Sequence, residues 1–213
     1  MEITATINFV KKELAGAEAG HNWFHVERVY KTALHIAQKE TVDVFVVQLA
    51  ALLHDIADSK FNNGNEDIGP AKSTEFLRSL NINETVVVHV QQIIKNMSFK
   101  NSFDKQTFTS KEMQIVQDAD RLDAMGAIGI ARAFNYGGFK NRDLYNPAIA
   151  PNLNQSKEEY KNSSTPTINH FYEKLLLLKN TMHTQTGKKL AEKRHQFMLV
   201  YLAQFYAEWD GEK

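Results

Sequence analysis

The sequence predicts an all-α protein, and three observations support this. Only four prolines and ten glycines punctuate its 213 residues. The apolar residues between them recur at the spacing of helices and do not alternate as they do in strands. The composition is 43% apolar and 23% charged, which provides enough apolar chain to bury a sizeable core.

The first two predicted helices run from Phe24 to about Glu40 and from Asp43 to about Ala57. In the first, an apolar stripe at helical spacing indicates one face that lies on a core. In the second, nearly every position is apolar, which is typical of a central helix covered on most sides. The valines at 42–47 also favour a strand, but the leucine- and alanine-rich run that follows is too long for one.

The middle of the chain predicts four further helical pieces. Pro70 suits the first turn of a helix that ends near Leu80, because a first-turn residue does not need its N–H. Asn83 is a candidate cap for a helix to about Lys95. A helix then begins near Ser110. Glycines at 126 and 129 interrupt it before another piece that ends at 137–138.

The last third of the chain begins with a long segment without periodicity. Residues 138–164 are rich in Asn, Ser, Gly and Pro, so we expect a long loop. Thr165-Pro166 predicts the start of a helix that contains the four leucines at 175–178, and Gly187 is expected to precede a final helix to about Trp209. No repeat or linker divides the chain, so residues 1–213 are interpreted as one domain, with C-terminal helices over about 165–210.

Charge and composition exclude several classes of function. Lys plus Arg and Asp plus Glu are both 25, so the chain lacks the basic excess of a nucleic-acid or membrane binder. With no cysteine, thiolate metal sites and disulfides are excluded. The N-terminus has no basic leader before an apolar run, and no stretch reaches the ~18 apolar residues of a membrane span. We therefore expect a cytoplasmic protein that does not contact the membrane.

Three segments place imidazoles and carboxylates on predicted helices: HNWFHVERV with His25, LAALLHDIADSK with His54 and Asp55, and IVQDADRLDAMG with Asp120. An inward carboxylate is costly unless it is paired, hydrogen-bonded or bound to a metal. Two imidazoles and two carboxylates suit one divalent ion, such as Mn, Fe, Co, Ni, Zn or Mg. The alternatives are a core histidine at 25, a salt bridge at 120, or an inward side chain at Asp118 or Asp123 instead.

These segments, in the order H…HD…D, resemble the HD superfamily of metal-dependent phosphohydrolases, and in particular its small stand-alone bacterial members. The resemblance covers about residues 20–135. It implies an all-α fold, hydrolysis of a phosphate ester or anhydride, commonly in a nucleotide, and four metal ligands: His25, His54, Asp55 and Asp120. The chain departs from the pattern where relatives often carry His-Asp, since it has His21-Asn22.

Such an ion would lower the pKa of a bound water toward ~7 and hold a phosphoryl oxygen. Besides the ligand Asp55, the catalytic candidate is Asp58, which lies on a similar helical face and is expected to orient the water or accept its proton. The alternative for Asp58 is a loop cap or a pair with a neighbouring lysine. Four basic residues near the motifs are candidates to bind substrate phosphates: Arg28, Lys60, Lys95 and Arg121.

Two further histidine patterns favour other interpretations. His21 and His25 have the H-x-x-x-H spacing of zinc proteases, but Asn22 stands where those enzymes need their general base. His89 lies in a valine-rich helix, which indicates a structural residue and favours a mononuclear site. The expected partner is a small phosphorylated substrate such as a nucleotide, and not a nucleic acid. The apolar terminal helix leaves a homodimer open. The alternative functions are a non-catalytic metal- or nucleotide-binding sensor and a helical protein with a polar core network.

Overall fold

The computed structural model describes residues 1–17, 20–56, 67–97, 108–154 and 164–213, and within these ranges every regular element is a helix. The all-α prediction is confirmed. The α-helices are α1 (Glu2–Glu13), α2 (Trp23–Ala37), α3 (Val44–Leu53), α4 (Ile68–Ser79), α5 (Glu84–Asn96), α6 (Lys111–Asp123), α7 (Gly126–Phe139), α8 (Asn169–Glu173) and α9 (Gln185–Trp209), with a 3₁₀-helix at Leu175–Thr181 between the last two.

The fold groups into two compact units, Met1–Asp120 and Arg121–Lys213. The interpretation of the chain as one domain remains a prediction. None of the helices in the described ranges is both long and apolar enough to cross a bilayer.

The first unit is built around α3. Its residues Leu49–Leu53 are all fully buried, because α1, α2 and α5 pack against it. The helix begins at Asp43, whose side chain accepts hydrogen bonds from the N–H groups of Phe45 and Val46. The apolar run at 42–53 therefore forms the predicted central helix and not a strand. It ends at the point where the sequence turns polar, at His54 and Asp55.

Local signals in the sequence account for the starts of α4 and α5 but not of α1. The side chain of Asn83 accepts a hydrogen bond from Thr85 N–H at the start of α5, as predicted. Pro70 lies in the first turn of α4. Helix α1 was not predicted; only Thr6 and Val10 of its residues are fully buried, so its apolar stripe is too sparse to identify. Beside it, the ammonium group of Lys11 lies 4.7 Å from the ring centre of Trp23.

The second unit is organised by α9, which packs against α7 and the 3₁₀-helix. Aromatic rings fill the space along α9, and Tyr145 from the segment after α7 contacts the last of them, with its ring centre 5.1 Å from that of Trp209. The remaining members of this cluster are Phe134, Phe171, Tyr201, Phe205 and Tyr206.

Three predictions for this unit were wrong in detail. The four leucines at 175–178 were expected in an α-helix, but they form a 3₁₀-helix after the five-residue α8. The final helix begins at Gln185, before Gly187, because the Thr184 hydroxyl caps it by accepting a hydrogen bond from Gly187 N–H. The predicted break near Gly126 is confirmed, since α6 ends at Asp123 and α7 begins at Gly126, which has φ +70°. The second predicted interruption, at Gly129, is wrong, because this residue lies inside α7.

The adjacent glycines of α7 give a direct test of packing in the second unit. A Cβ at position 137 would lie well inside contact distance of the buried Thr167 hydroxyl, whereas a Cβ at 138 meets nothing within 4 Å. We expect Gly137→Ala to reduce the free energy of unfolding by about 1–3 kcal/mol through overpacking. Gly138→Ala should be neutral or stabilise by up to about 1 kcal/mol, because alanine favours helix. Chemical denaturation of both variants checks this, and equal effects would contradict it.

Candidate metal centre

His25 is positioned by the first turn of α2. The side chain of Asn22 accepts hydrogen bonds from the N–H groups of Phe24 and His25, at 3.0 and 3.2 Å, and so caps the helix. Because Val29 lies one turn further along the same face and is fully buried, the His25 imidazole also points inward and is only 2% exposed. The departure at position 22 is thus a helix cap, a role that asparagine and aspartate share.

His54 is the residue that ends α3, and its ring is oriented by its own helix. Nδ1 donates a hydrogen bond to the carbonyl of Ala51 at 2.9 Å. In the neutral imidazole this leaves the lone pair on Nε2, the nitrogen available to a metal. That Nε2 is buried and has no hydrogen-bond partner among the described residues. A buried acceptor of this kind is costly, which makes it a good fit for a bound cation.

Asp120, in the last turn of α6, completes a set of three. Its Oδ1 lies 3.5 Å from Nε2 of His25, and one atom each from His25, His54 and Asp120 falls within 4.8 Å of the other two. Metal bonds of about 2.0–2.2 Å bring ligand atoms to within about 4.4 Å of one another, so small side-chain shifts would close the set around one ion. The alternative inward residues, Asp118 and Asp123, are both more buried than Asp120, whose side chain is 42% exposed. Asp123 pairs with Arg132 at 2.6 Å.

Asp55 lies beside this set and is held by His21. Its Oδ2 accepts a hydrogen bond from Nδ1 of His21 at 2.7 Å and is 3.9 Å from Nε2 of His25. Burial, the largest single influence, raises the pKa of Asp55, but the His21 hydrogen bond and the charges of His54, His21 and His25 together outweigh it. The net effect is a lowered pKa, so the carboxylate form that a metal requires is favoured.

His21 is the residue of this cluster to which the sequence analysis gave no role. It precedes the cap of α2 and reaches an aspartate 34 positions away. The signal was its spacing of four residues from His25, which was weighed only as a zinc-protease pattern. A histidine that hydrogen-bonds a candidate ligand fixes the orientation of that ligand.

The described candidates for phosphate binding lie on three different helices. Arg28 is half-buried on α2, three residues after His25. Lys95 is exposed at the end of α5, with Nζ 3.9 Å from Oδ1 of Asp67. Arg121 donates to the carbonyl of Thr181 and lies 2.9 Å from Nε2 of His183. The other two candidates, Lys60 and the proton acceptor Asp58, lie outside the described residues.

The sequence and the fold both match known proteins. The family model of the HD domain matches residues 22–125. The uncharacterized protein YpgQ of Bacillus subtilis is 37% identical over 205 residues, which cover 95% of this chain and 91% of YpgQ. A crystal structure of YpgQ in complex with ADP is similar, with a TM-score of 0.76 and 34% identity over 97% of this chain and 94% of that one.

Two further crystal structures are similar over almost their whole length. A protein from Lactobacillus plantarum has a TM-score of 0.81 and 38% identity, covering 99% of this chain and 97% of its own. An HD-superfamily hydrolase from Bacillus thuringiensis has a TM-score of 0.78 and 43% identity, covering 98% and 96%. The range that the HD-domain model matches, residues 22–125, contains His25, His54 and Asp120 of the candidate metal centre. The chain therefore belongs to the HD-domain superfamily of hydrolases.

Proposed function

We propose that this protein is a metal-dependent phosphohydrolase that cleaves a phosphate ester or anhydride in a nucleotide or another small phosphorylated metabolite. The observation that carries the proposal is the convergence of His25, His54 and Asp120, together with a buried His54 Nε2 to which no other described residue hydrogen-bonds. The ADP complex of YpgQ supports a nucleotide as the substrate class.

The residues proposed to hold one divalent ion are His25, His54, Asp55 and Asp120. A set of two imidazoles and two carboxylates suits Mn, Fe, Co, Ni, Zn or Mg, and the order of intrinsic affinities does not select among them. An ion bound there supplies a Lewis acid for phosphoryl oxygen and lowers the pKa of water. To reach it, Asp55 would exchange or share the hydrogen bond that His21 now donates.

The protein side chains then have separate tasks. The Ala51 carbonyl keeps the His54 proton on Nδ1, and His21 keeps Asp55 ionised and oriented. Asp58 is proposed to orient the attacking water or accept its proton. Arg28, Lys60, Lys95 and Arg121 are proposed as candidates to bind the substrate phosphates.

Metal binding tests the centre directly. We expect His54→Ala to weaken Mn²⁺ binding, measured by calorimetry on metal-stripped protein, by at least about 100-fold, because direct ligands matter more than outer-shell partners, whose loss costs 10–100-fold. His35→Ala is the matched control, since this histidine is on the exposed side of α2. Unchanged binding in His54→Ala would remove the proposed centre.

Catalysis is tested by phosphate release from ADP, ATP and p-nitrophenyl phosphate with added Mn²⁺, Co²⁺, Ni²⁺ or Mg²⁺. We expect turnover in the wild type and a loss of at least about 100-fold in Asp120→Ala. Asp210→Ala, at the exposed end of α9, should keep the wild-type rate. Turnover that survives Asp120→Ala excludes this mechanism, and binding of Mn²⁺ and ADP without turnover would assign the non-catalytic sensor role instead.

Asp58 has its own test. If it moves the proton of the attacking water, Asp58→Asn keeps wild-type Mn²⁺ affinity and loses about 10²–10⁴-fold in kcat, the range typical of general acid–base groups. Measuring both quantities on one preparation separates the two effects. A retained kcat would make Asp58 a structural residue.

A further inference from the structure

A polar cluster that the proposed chemistry does not use joins the beginnings of α3 and α6 to the middle of α5. Its centre is Glu112, in the first turn of α6. One carboxylate oxygen, Oε1, accepts a hydrogen bond from the backbone N–H of Asp43 at 3.0 Å, and the other, Oε2, is 3.6 Å from Nε2 of His89. His89 also hydrogen-bonds the hydroxyl of Ser110 at 3.0 Å. We call these four residues the Glu112 latch.

Two members of the latch, Asp43 and Ser110, cap the beginning of a helix. Asp43 caps α3 with its side chain, so its backbone N–H is fixed to the start of that helix. The Ser110 hydroxyl accepts a hydrogen bond from Met113 N–H and so caps α6. His89 belongs to α5, which itself packs against α3. The latch therefore connects three helices, and its bond to α3 is made to a backbone N–H group.

The latch and the candidate metal centre lie at opposite ends of the same two helices. From Asp43 to His54 the chain rises about 16 Å, and from Glu112 to Asp120 about 12 Å, at 1.5 Å per residue. Because both the starts and the ends of α3 and α6 meet, the two helices run in the same direction. Glu112 holds one end of this pair, and His54 and Asp120 face each other at the other end.

This arrangement has a mechanical consequence for the ligands. Before an ion binds, the distance between His54 and Asp120 depends on how α6 sits against α3, because each ligand comes from a different helix. A slip of one residue along the helix axis moves a side chain by 1.5 Å, whereas metal and catalytic sites need their groups within about 0.5 Å. A carboxylate bonded to a capped backbone N–H opposes both sliding and rotation of α6.

We infer that Glu112 is a positioning residue for the metal centre: it sets the register of α6 against α3, so that Asp120 meets His54 before the ion arrives. The inference rests on the proposed function for the identity of the centre. It assigns a role in the metal centre to a residue that lies about 12 Å along α6 from Asp120, the proposed ligand on that helix.

Metal affinity of the whole protein gives the first test. We expect Glu112→Ala to raise the Kd for Mn²⁺ about tenfold or more, in line with other residues that orient ligands. Glu112→Gln should remain within about threefold of the wild type, because the amide oxygen still accepts the Asp43 hydrogen bond. Glu75→Ala removes an exposed glutamate of the same unit and should leave the Kd unchanged. Wild-type affinity in Glu112→Ala overturns the inference.

A stability control separates positioning from general weakening. Ile93→Val trims a fully buried side chain of α5 and is expected to cost about 0.5–1.5 kcal/mol while it keeps every side chain of the latch. It should lower the thermal midpoint and keep the Mn²⁺ affinity. If it weakens Mn²⁺ binding as much as Glu112→Ala does, the effect of Glu112 is only structural and the inference fails.

Hydrogen exchange of the metal-free protein gives a test that does not depend on the ion. In Glu112→Ala we expect faster exchange at residues 117–120, the far end of α6 in the first unit, as well as at 110–114. Faster exchange confined to 43–46 and 110–114 would show a local effect and overturn the inference. If the wild type binds no Mn²⁺, the proposed function fails, whereas the exchange result still decides whether the latch controls the far end of α6.

Discussion

The hydrogen bond from His54 to the carbonyl of Ala51 is the interaction on which the candidate centre depends. It uses a carbonyl near the end of α3, where such groups lack helical partners, and it fixes both the ring orientation and the tautomer of His54. The other ring nitrogen is then buried and has no hydrogen-bond partner within the described part of the chain. Because an unpartnered buried acceptor is costly, a cation bound to this nitrogen would stabilise the folded protein.

The helices of the first unit present their chemistry at their ends. His25 is in the first turn of α2, His54 and Asp55 follow the last turn of α3, and Asp120 is in the last turn of α6. Apart from Gln48, the interior of α3 is apolar, and Leu49–Leu53 are fully buried, so its metal-ligand candidates come only where the helix stops. This division lets one packed core support a polar site at its margin without burying unpaired charges within it.

Local patterns in the sequence predicted much of this structure, but they did not predict contacts between residues far apart in the sequence. The apolar run of α3, the cap at Asn83 and the break at Gly126 are encoded within a few residues, and each was identified. The partnership of His21 with Asp55 joins positions 34 apart, so no local period indicates it. The leucines at 175–178 suit an α-helix by propensity. In the structure they form a 3₁₀-helix that packs against α9, a contact that the local sequence does not indicate.

The chain has two tryptophans, and each compact unit contains one. Trp23 stands two residues before His25 under the ammonium group of Lys11, whereas Trp209 ends α9 against Tyr145. Indole emission responds to nearby charge and polarity, so the two units carry separate native fluorophores. A single Trp-to-Phe replacement would leave one optical probe beside the histidine and aspartate cluster, or one at the far C-terminus, without any attached dye.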